Sequence, residues 1–239
     1  MSDALILGID TTGPADNVAL VRGEQILATL SLRQLPLSSR PLLRLIDTVC
    51  TQANAGLDEV TAIAVNVGPG AFTGLRVGLA TVHGLALAYH KPLVGCTAFE
   101  ALAAAVTHWQ GMICPVVQAR KGEVYAAFFR RQDAGVYETH PGVVLTPSAL
   151  CDRVREPTLF LGSGAIAYRE TLTAMLGAHA VCLQTVEAEM GLAVSVARLG
   201  SRRLQVAGSA PLPVPQPLYI RAADARLPRI AANAAGVVS

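Results

Sequence analysis

The chain has 239 residues, 52% hydrophobic, 15% charged and 5% aromatic, with a formal net charge of +2 and a mean hydropathy of +0.44. That apolar content excludes a disordered chain. At this length folding buries roughly 70–75% of the surface the unfolded chain exposes, enough for one large domain or two lobes without metal or disulfide staples. Much of the apolar content is small, since 39 residues are alanine, and this favours close-packed helices over an aromatic-lined cavity.

Cys50, Cys96, Cys114, Cys151 and Cys182 form no Cys-x-x-Cys and lie at no ligand spacing from a histidine, so they read as reduced core thiols of a cytoplasmic protein. The N-terminus lacks the positive and apolar regions of a signal peptide. The charge-free run Ala101–Ala119 is interrupted by Thr107, His108, Gln110, Gly111 and Pro115, so no membrane span is expected. Residues 198–239 carry six arginines against Asp224 alone, a local charge of +5. Two readings stand: Arg198, Arg202 and Arg203 complement the dipole at a helix C-terminus, or the segment is a basic strip for RNA or an acidic partner.

In chain order, apolar runs at Leu5–Ile9, Val18–Val21 and Ile26–Leu32, parted by tight turns, predict an antiparallel meander. Over 38–53 the period becomes helical, with Leu42, Ile46, Val49 and Ala53 in one stripe, Pro41 in the first turn and Asn54-Ala55-Gly56 at the end. A strand at Val60–Val67, a helix at about Thr73–His90, a strand at Leu93–Cys96 and a helix near Phe99–His108 follow. The pattern then restarts with strands at Ile113–Gln118, Val124–Arg131 and Val136–Leu145, a helix at 147–155, a strand at 158–161, and helices at 164–176 and 188–204. Three strands followed by alternating helix and strand thus occur twice, an internal duplication dividing the chain into residues 1–109 and 110–239. The last helix and basic tail of the second half are free in this scheme to pack back on the first. Between Gly208 and Pro217 five of ten residues are proline or glycine, predicting an extended segment before Leu218–Arg221.

Two motifs could carry chemistry. Gly68-Pro69-Gly70-Ala71-Phe72-Thr73-Gly74-Leu75-Arg76-Val77-Gly78 lies between a predicted strand and a predicted helix. Its glycines permit a tight turn, Thr73 could cap the helix, and free amides at Gly68 and Gly70 could hold an anion. It is neither a Walker loop nor a dinucleotide fingerprint. The larger share goes to packing: Gly74 and Gly78 share one helical face, Ala80, Gly84 and Ala88 line another, and Leu75, Leu79, Val82 and Ala86 form an apolar stripe. Glycine within a helix costs about 1 kcal/mol relative to alanine, so three in one helix call for close approach of a second helix. The second motif, Gly8-Ile9-Asp10-Thr11-Thr12 at the end of the first strand, offers a carboxylate and hydroxyls to a hydrated metal or phosphate, or simply to turn amides.

These segments, with Ala119-Arg120-Lys121-Gly122-Glu123-Val124-Tyr125 and Pro217-Leu218-Tyr219-Ile220-Arg221, resemble the bacterial TsaB family in order over about residues 4–229. The resemblance implies an α/β fold of two ribonuclease-H-like lobes, that of the actin, sugar-kinase and chaperone-ATPase superfold. It implies a non-catalytic, cytoplasmic accessory subunit in making threonylcarbamoyladenosine at position 37 of tRNA, beside the anticodon. The partner would be the transferase TsaD, a paralogue, with the ATPase TsaE joining the pair, tRNA met only within that complex, and no cofactor of its own. The helices near 38–53 and 73–90 would form the interface, with Leu42, Ile46, Val49, Leu75, Leu79 and Val82 as anchors and Gly74, Gly78 and Gly84 permitting close approach. ATP or ADP would sit at the joint, and the same faces would make a homodimer when the partner is missing.

Asp10 and Thr11, with Gly68, Gly70 and Thr73, are the candidate nucleotide or anion contacts. Superfold members that hydrolyse ATP need carboxylates at the mouth of both lobes for magnesium. The second place here holds Gln118, which argues against the alternative of a stand-alone small-molecule kinase or ATPase. Gly162-Ser163-Gly164-Ala165 resembles the adenosine-contacting loop, though a strand-to-helix turn explains it equally. TsaD's paired metal-binding histidines are missing: His83 and His90 are seven apart, and His108, His140 and His179 stand alone. No metal site is expected, and a glycoprotease has no nucleophile. The family usually has serine where Ala71 stands and often histidine where this chain has Ser38-Ser39-Arg40, so roles of those side chains do not transfer.

Overall fold

The computed structural model describes residues 3–33, 42–120, 122–132, 135–182 and 192–220. The first half builds β1 (Leu5–Asp10), β2 (Ala15–Arg22), β3 (Gln25–Arg33), α1 (Leu42–Gln52), β4 (Ala62–Asn66), α2 (Phe72–Tyr89), β5 (Leu93–Cys96) and α3 (Ala98–Ala105). The second builds β6 (Met112–Gln118), β7 (Val124–Gln132), β8 (Gly135–Leu145), α4 (Pro147–Cys151), β9 (Thr158–Leu161), α5 (Ser163–Ala167), α6 (Arg169–Leu176), β10 (Ala180–Cys182) and α7 (Leu192–Ala207). The sheet orders are β3-β2-β1-β4-β5 and β10-β9-β6-β7-β8. In each, the first three strands pair antiparallel and the remaining two add in parallel beside the first. The two halves are copies of one topology.

Strand alternation sorts the side chains into layers. Along β1, Leu5, Leu7 and Ile9 face α1 and α2 and join Leu42, Ile46, Val49, Leu75, Leu79 and Val82 in one core. Ile6 faces the opposite way, into a core shared by both sheets and filled by α3 and α7. A third core packs Cys114, Val116 and Phe160 of the second sheet with Leu150 and Leu172 from α4 and α6.

Helix α7 follows the second sheet in sequence yet lies on the first, with Ala193, Val196 and Ala197 fully buried. Two glycines make room for it. A Cβ at Gly8 would come within 2.1 Å of the Ala193 carbonyl oxygen, and one at Gly200 within 2.5 Å of the Ala64 Cβ. The extended segment after α7 returns along the first lobe: Leu218 N donates to Val67 O at 2.8 Å, and the His83 ring lies 3.2 Å from the Pro215 carbonyl.

Several expectations need correction. Strand β10 is not among the expected elements: Ala180-Val181-Cys182 is apolar throughout but too short to show a period. The predicted 164–176 helix breaks at Tyr168 into α5 and α6. Thr73 does not cap α2; the N-cap is Ala71, with no side-chain bond, and Thr73 sits inside the first turn. Arg198, Arg202 and Arg203 are not in the last turn of α7. Arg198 pairs with Glu24 at 3.4 Å and donates to the Glu24 carbonyl at 2.9 Å, and Arg203 pairs with Glu100 and the Gly95 carbonyl. Arg221, Arg226 and Arg229, Pro41, Ser38-Ser39-Arg40 and Lys121 lie outside the described residues.

Because a methyl at Gly8 would strike backbone, Gly8→Ala should destabilise the chain by about 1–3 kcal/mol, the usual cost of overpacking. A urea midpoint that does not move would show that α7 can shift without loss.

Candidate functional site

Strands β1 and β6 occupy the same place in the two sheets, so their last residues, Asp10 and Gln118, are topological equivalents. Both stand at the C-terminal ends of parallel-paired strands, where open α/β sheets place ligand sites. Asp10 is fully buried and Gln118 is exposed.

The Asp10 carboxylate is enclosed by donors from the turn after β1 and from β2 and β4. Oδ1 accepts from Thr12 N at 3.0 Å, Thr12 Oγ1 at 2.7 Å and Asn66 Nδ2 at 2.9 Å. Oδ2 accepts from Asn17 Nδ2 at 3.2 Å. Burial pushes the carboxyl above its ordinary range, and the bonds from Thr12, Asn17 and Asn66 pull it partly back. A carboxylate so enclosed is part of the fold's framework. It would have to shed donors to ligate an ion.

The glycine loop is tied into the same cluster. Asn66 Oδ1 accepts from Gly68 N at 2.9 Å, and Thr12 O accepts from Ala71 N at 2.7 Å. Gly68 has φ +100°, a region open to glycine. A Cβ on Gly70 would lie 2.5 Å from Thr12 Cβ and backbone oxygen. Thr11 donates its hydroxyl to Gly74 O at 2.8 Å, and a Cβ on Gly78 would lie 2.2 Å from that hydroxyl. The glycines therefore let α2 and its loop close on the β1 turn.

Of the candidate anion contacts, the Gly68 amide and the Thr11 hydroxyl already donate within the chain, as do the neighbouring amides of Ala71 and Thr12. The interface anchors need correction: Leu42, Ile46, Val49, Leu75, Leu79 and Val82 are each at most 7% exposed and form the lobe's own core. Gly74 and Gly78 are buried against Thr11. Gly84 faces open space, with nothing within 4 Å of an added Cβ. The solvent-facing sides of these helices present Leu43 (59% exposed) on α1, and Leu87 (78%) one turn after Gly84 on α2. Sequence reading missed Asn17 and Asn66. The signal available was Asn66 closing the otherwise apolar β4 and the Asp16-Asn17 pair near the start of β2.

A cleft of about 420 Å³ opens between the lobes beside Asp10. Its first-lobe wall carries Thr12, Asn17, Ser31 and Arg33, and its apolar side carries Ala98, Leu102, Val117 and Leu192. Ser163 also lines it, its Oγ accepting from Gln118 N at 3.0 Å. A Cβ on Gly162 (φ +96°) would lie 2.6 Å from the Val116 carbonyl, and one on Gly164 would lie 2.7 Å from Val116 Cγ1, so these glycines serve the packing of α5 on β6. Among the described residues, no three His, Cys, Asp or Glu side chains gather as metal ligands, and no helix is long and apolar enough to cross a membrane.

Duplicated five-stranded sheets facing a common cleft define a two-lobed protein of the actin, sugar-kinase and chaperone-ATPase superfold. The ROK hexokinase of Thermus thermophilus shares the fold at 11% identity and a TM-score of 0.51, over 84% of this chain and 99% of that one. A family profile described as TsaD, tRNA N6-adenosine threonylcarbamoyltransferase, matches residues 37–226. The tRNA threonylcarbamoyladenosine biosynthesis protein TsaB of Haemophilus influenzae is 30% identical over 71% of this chain and 76% of its own. YeaZ from Pseudomonas aeruginosa superposes with a TM-score of 0.66 at 26% identity, over 88% of this chain and 99% of that one. The chain belongs to the TsaB family.

The raised Asp10 carboxyl sets the sign of a pH effect. Between its ordinary value, 3.8, and the raised native one, the folded chain holds a proton that the unfolded chain releases. Asp10's contribution to stability therefore improves as pH falls through that window. The stability of the wild type relative to Asp10→Asn should rise on acidification from pH ~7 toward ~4, read from urea midpoints; a constant difference would contradict this assignment.

Proposed function

We propose that this chain is a non-catalytic, cytoplasmic subunit in the formation of threonylcarbamoyladenosine in tRNA, acting by pairing with a TsaD-type transferase and holding it in its active arrangement. The observation that carries the reading is how poorly its own cleft suits magnesium–nucleotide chemistry: Asp10 already accepts from Thr12, Asn17 and Asn66, and Gln118 stands at the equivalent place in the second lobe. A neutral amide is a poor magnesium anchor, and phosphoryl transfer relies on charge at both positions. The names of the relatives supply the pathway.

The pairing surface in this proposal is the outward face of α1 and α2. It combines exposed Leu43 and Leu87 with the flat stretch around Ala80, Gly84 and Ala88, a surface that lets a second helix approach closely. A paralogue with the same topology would offer the corresponding helices, giving a pseudo-symmetric four-helix contact. A second copy of this chain offers the same face, so a homodimer competes when the transferase is missing. ATP or ADP at the joint, an ATPase of the TsaE type joining the pair, and tRNA contact confined to the assembly belong to the same proposal.

Gly84 gives the clean test. Gly78→Leu would drive carbon into Thr11 and unfold the lobe, whereas Gly84→Arg meets open space. Gly84→Arg should melt within a few degrees of the wild type yet abolish co-purification with the transferase, and the reconstituted modification should fall with it. Retention of the partner by this variant would refute the surface. The kinase or ATPase reading makes the opposite statement about the isolated chain: steady ATP turnover, lost in Asp10→Asn, would overturn the proposal.

A further inference from the structure

The solvent-facing side of α2 opens with a cluster that no core of the fold uses. Phe72 is 48% exposed, and Tyr219, from the extended segment after α7, is 45% exposed. Their ring centroids lie 5.7 Å apart at an interplanar angle of 37°. Arg76 is tied to both. Its guanidinium carbon stands 3.8 Å from the Phe72 ring centroid, and its Nε donates to the Tyr219 hydroxyl at 3.3 Å. Tyr219 is itself held in place, because the preceding residue, Leu218, donates its N–H to Val67 O at 2.8 Å.

Arg76 is exposed, and an exposed arginine ordinarily pays rotamer entropy to meet a partner. Here the Phe72 ring and the Tyr219 hydroxyl have ordered it beforehand. With Nε taken by Tyr219, the paired Nη donors are the fork left for an acceptor, and that fork fits a carboxylate. Among the described residues no carboxylate lies within ion-pair distance of Arg76.

The setting selects the acceptor. Phe72, Arg76 and Ala80 follow at four-residue spacing, and Gly84 and Leu87 continue the same exposed side of the helix. Arg76 is the only charged side chain between Phe72 and Tyr89. A nucleic-acid surface neutralises several phosphates and needs several cations, which this helix lacks. Aromatic rings and one arginine among small and apolar residues are instead the composition of a protein interface centre. Covering Arg76 there is favourable only when the partner brings the opposite charge. A second copy brings no carboxylate on its own α2, so two copies packed α2 on α2 would set arginine near arginine.

We infer that Arg76, held by Phe72 and Tyr219, is the charged anchor of the pairing surface and receives a carboxylate from a helix of the partner subunit. The inference rests on the pairing role proposed above and adds to it the feature that favours a different, acidic partner over a second copy. It also gives the segment after α7 a part in recognition, since Tyr219 completes a surface otherwise made by the first lobe.

The test measures, by calorimetry, the affinity of the full chain and its variants for the TsaD-type transferase of the same organism. Arg76→Met keeps a stem on Phe72 and removes the charge. Because the site is exposed, its melting temperature should stay within a few degrees of the wild type. Pairing should weaken roughly thirtyfold or more, and the loss of affinity that the wild type shows between ~50 and ~500 mM salt should flatten. Arg76→Lys, charged but without the planar fork, should restore only part of the affinity. Tyr219→Phe keeps the ring and should weaken pairing about two- to tenfold. Self-association of Arg76→Met, read by sedimentation, should be at least as strong as that of the wild type. Pairing of Arg76→Met within about twofold of the wild type would overturn the inference; if Gly84→Arg still blocks pairing, the surface stands and only the anchor falls. Self-association lost along with pairing would assign the carboxylate to a second copy, and unchanged pairing with lost retention of ADP or tRNA by the assembled pair would assign the acceptor to a phosphate. Either result overturns it.

Discussion

The architecture depends on one hydrogen-bonded knot. Asp10 draws together the turn after β1 through Thr12, the second strand through Asn17 and the fourth through Asn66, and Asn66 in turn fixes the glycine loop through Gly68 N. Four donors around a fully buried carboxylate make an arrangement in which each member is satisfied only while the others stay in place. The same residue that could anchor a metal in a catalytic relative is here committed to holding strands and loop in register. Glycines 70 and 78 follow from that knot, because the loop and helix can close on Thr12 and Thr11 only where no Cβ intervenes.

The cleft-facing side of the first sheet carries the knot, and the opposite side is covered by α1 and α2, whose inward stripes fill the core while Leu43 and Leu87 face solvent. A chain built this way keeps the superfold's two-lobed frame while the last residues of its two central strands read Asp10, held by three neighbours, and Gln118, neutral. In the proposed role the frame itself is the product: a rigid first lobe presents a flat helical surface to a partner of similar shape.

Much of the fold was legible because the two halves repeat one alternation of strands and helices, and a duplicated signal reinforces itself. The cores of β1, β2 and β4 and the stripe of α1 were readable from period alone. What could not be read was the direction of each stripe. Leu42, Ile46, Leu75 and Val82 carry the spacing of a helix with one apolar face, and that spacing is the same whether the face meets the protein's own sheet or another molecule. The sheet took it. The glycines of the loop were rightly singled out, yet their purpose lay in contacts with Thr11 and Thr12, some sixty residues earlier, which no local pattern reveals. Strand β10 was missed because three apolar residues are too few to show a period, and Asn17 and Asn66 because polar residues in strands gain meaning only when topology brings them together.

The seat of α7 on the first sheet bears on how the molecule comes into being. The first sheet precedes in the chain the helix that covers its inner side, which begins at Leu192. Until that helix has been made, Ile6, Ala19 and Ala64 lack the cover it gives them. The lobes are repeats in shape, but they are not independent in birth: the first is sealed only by a helix that follows the second, and a chain cut short before Leu192 would leave an open greasy surface for chaperones or proteases to find.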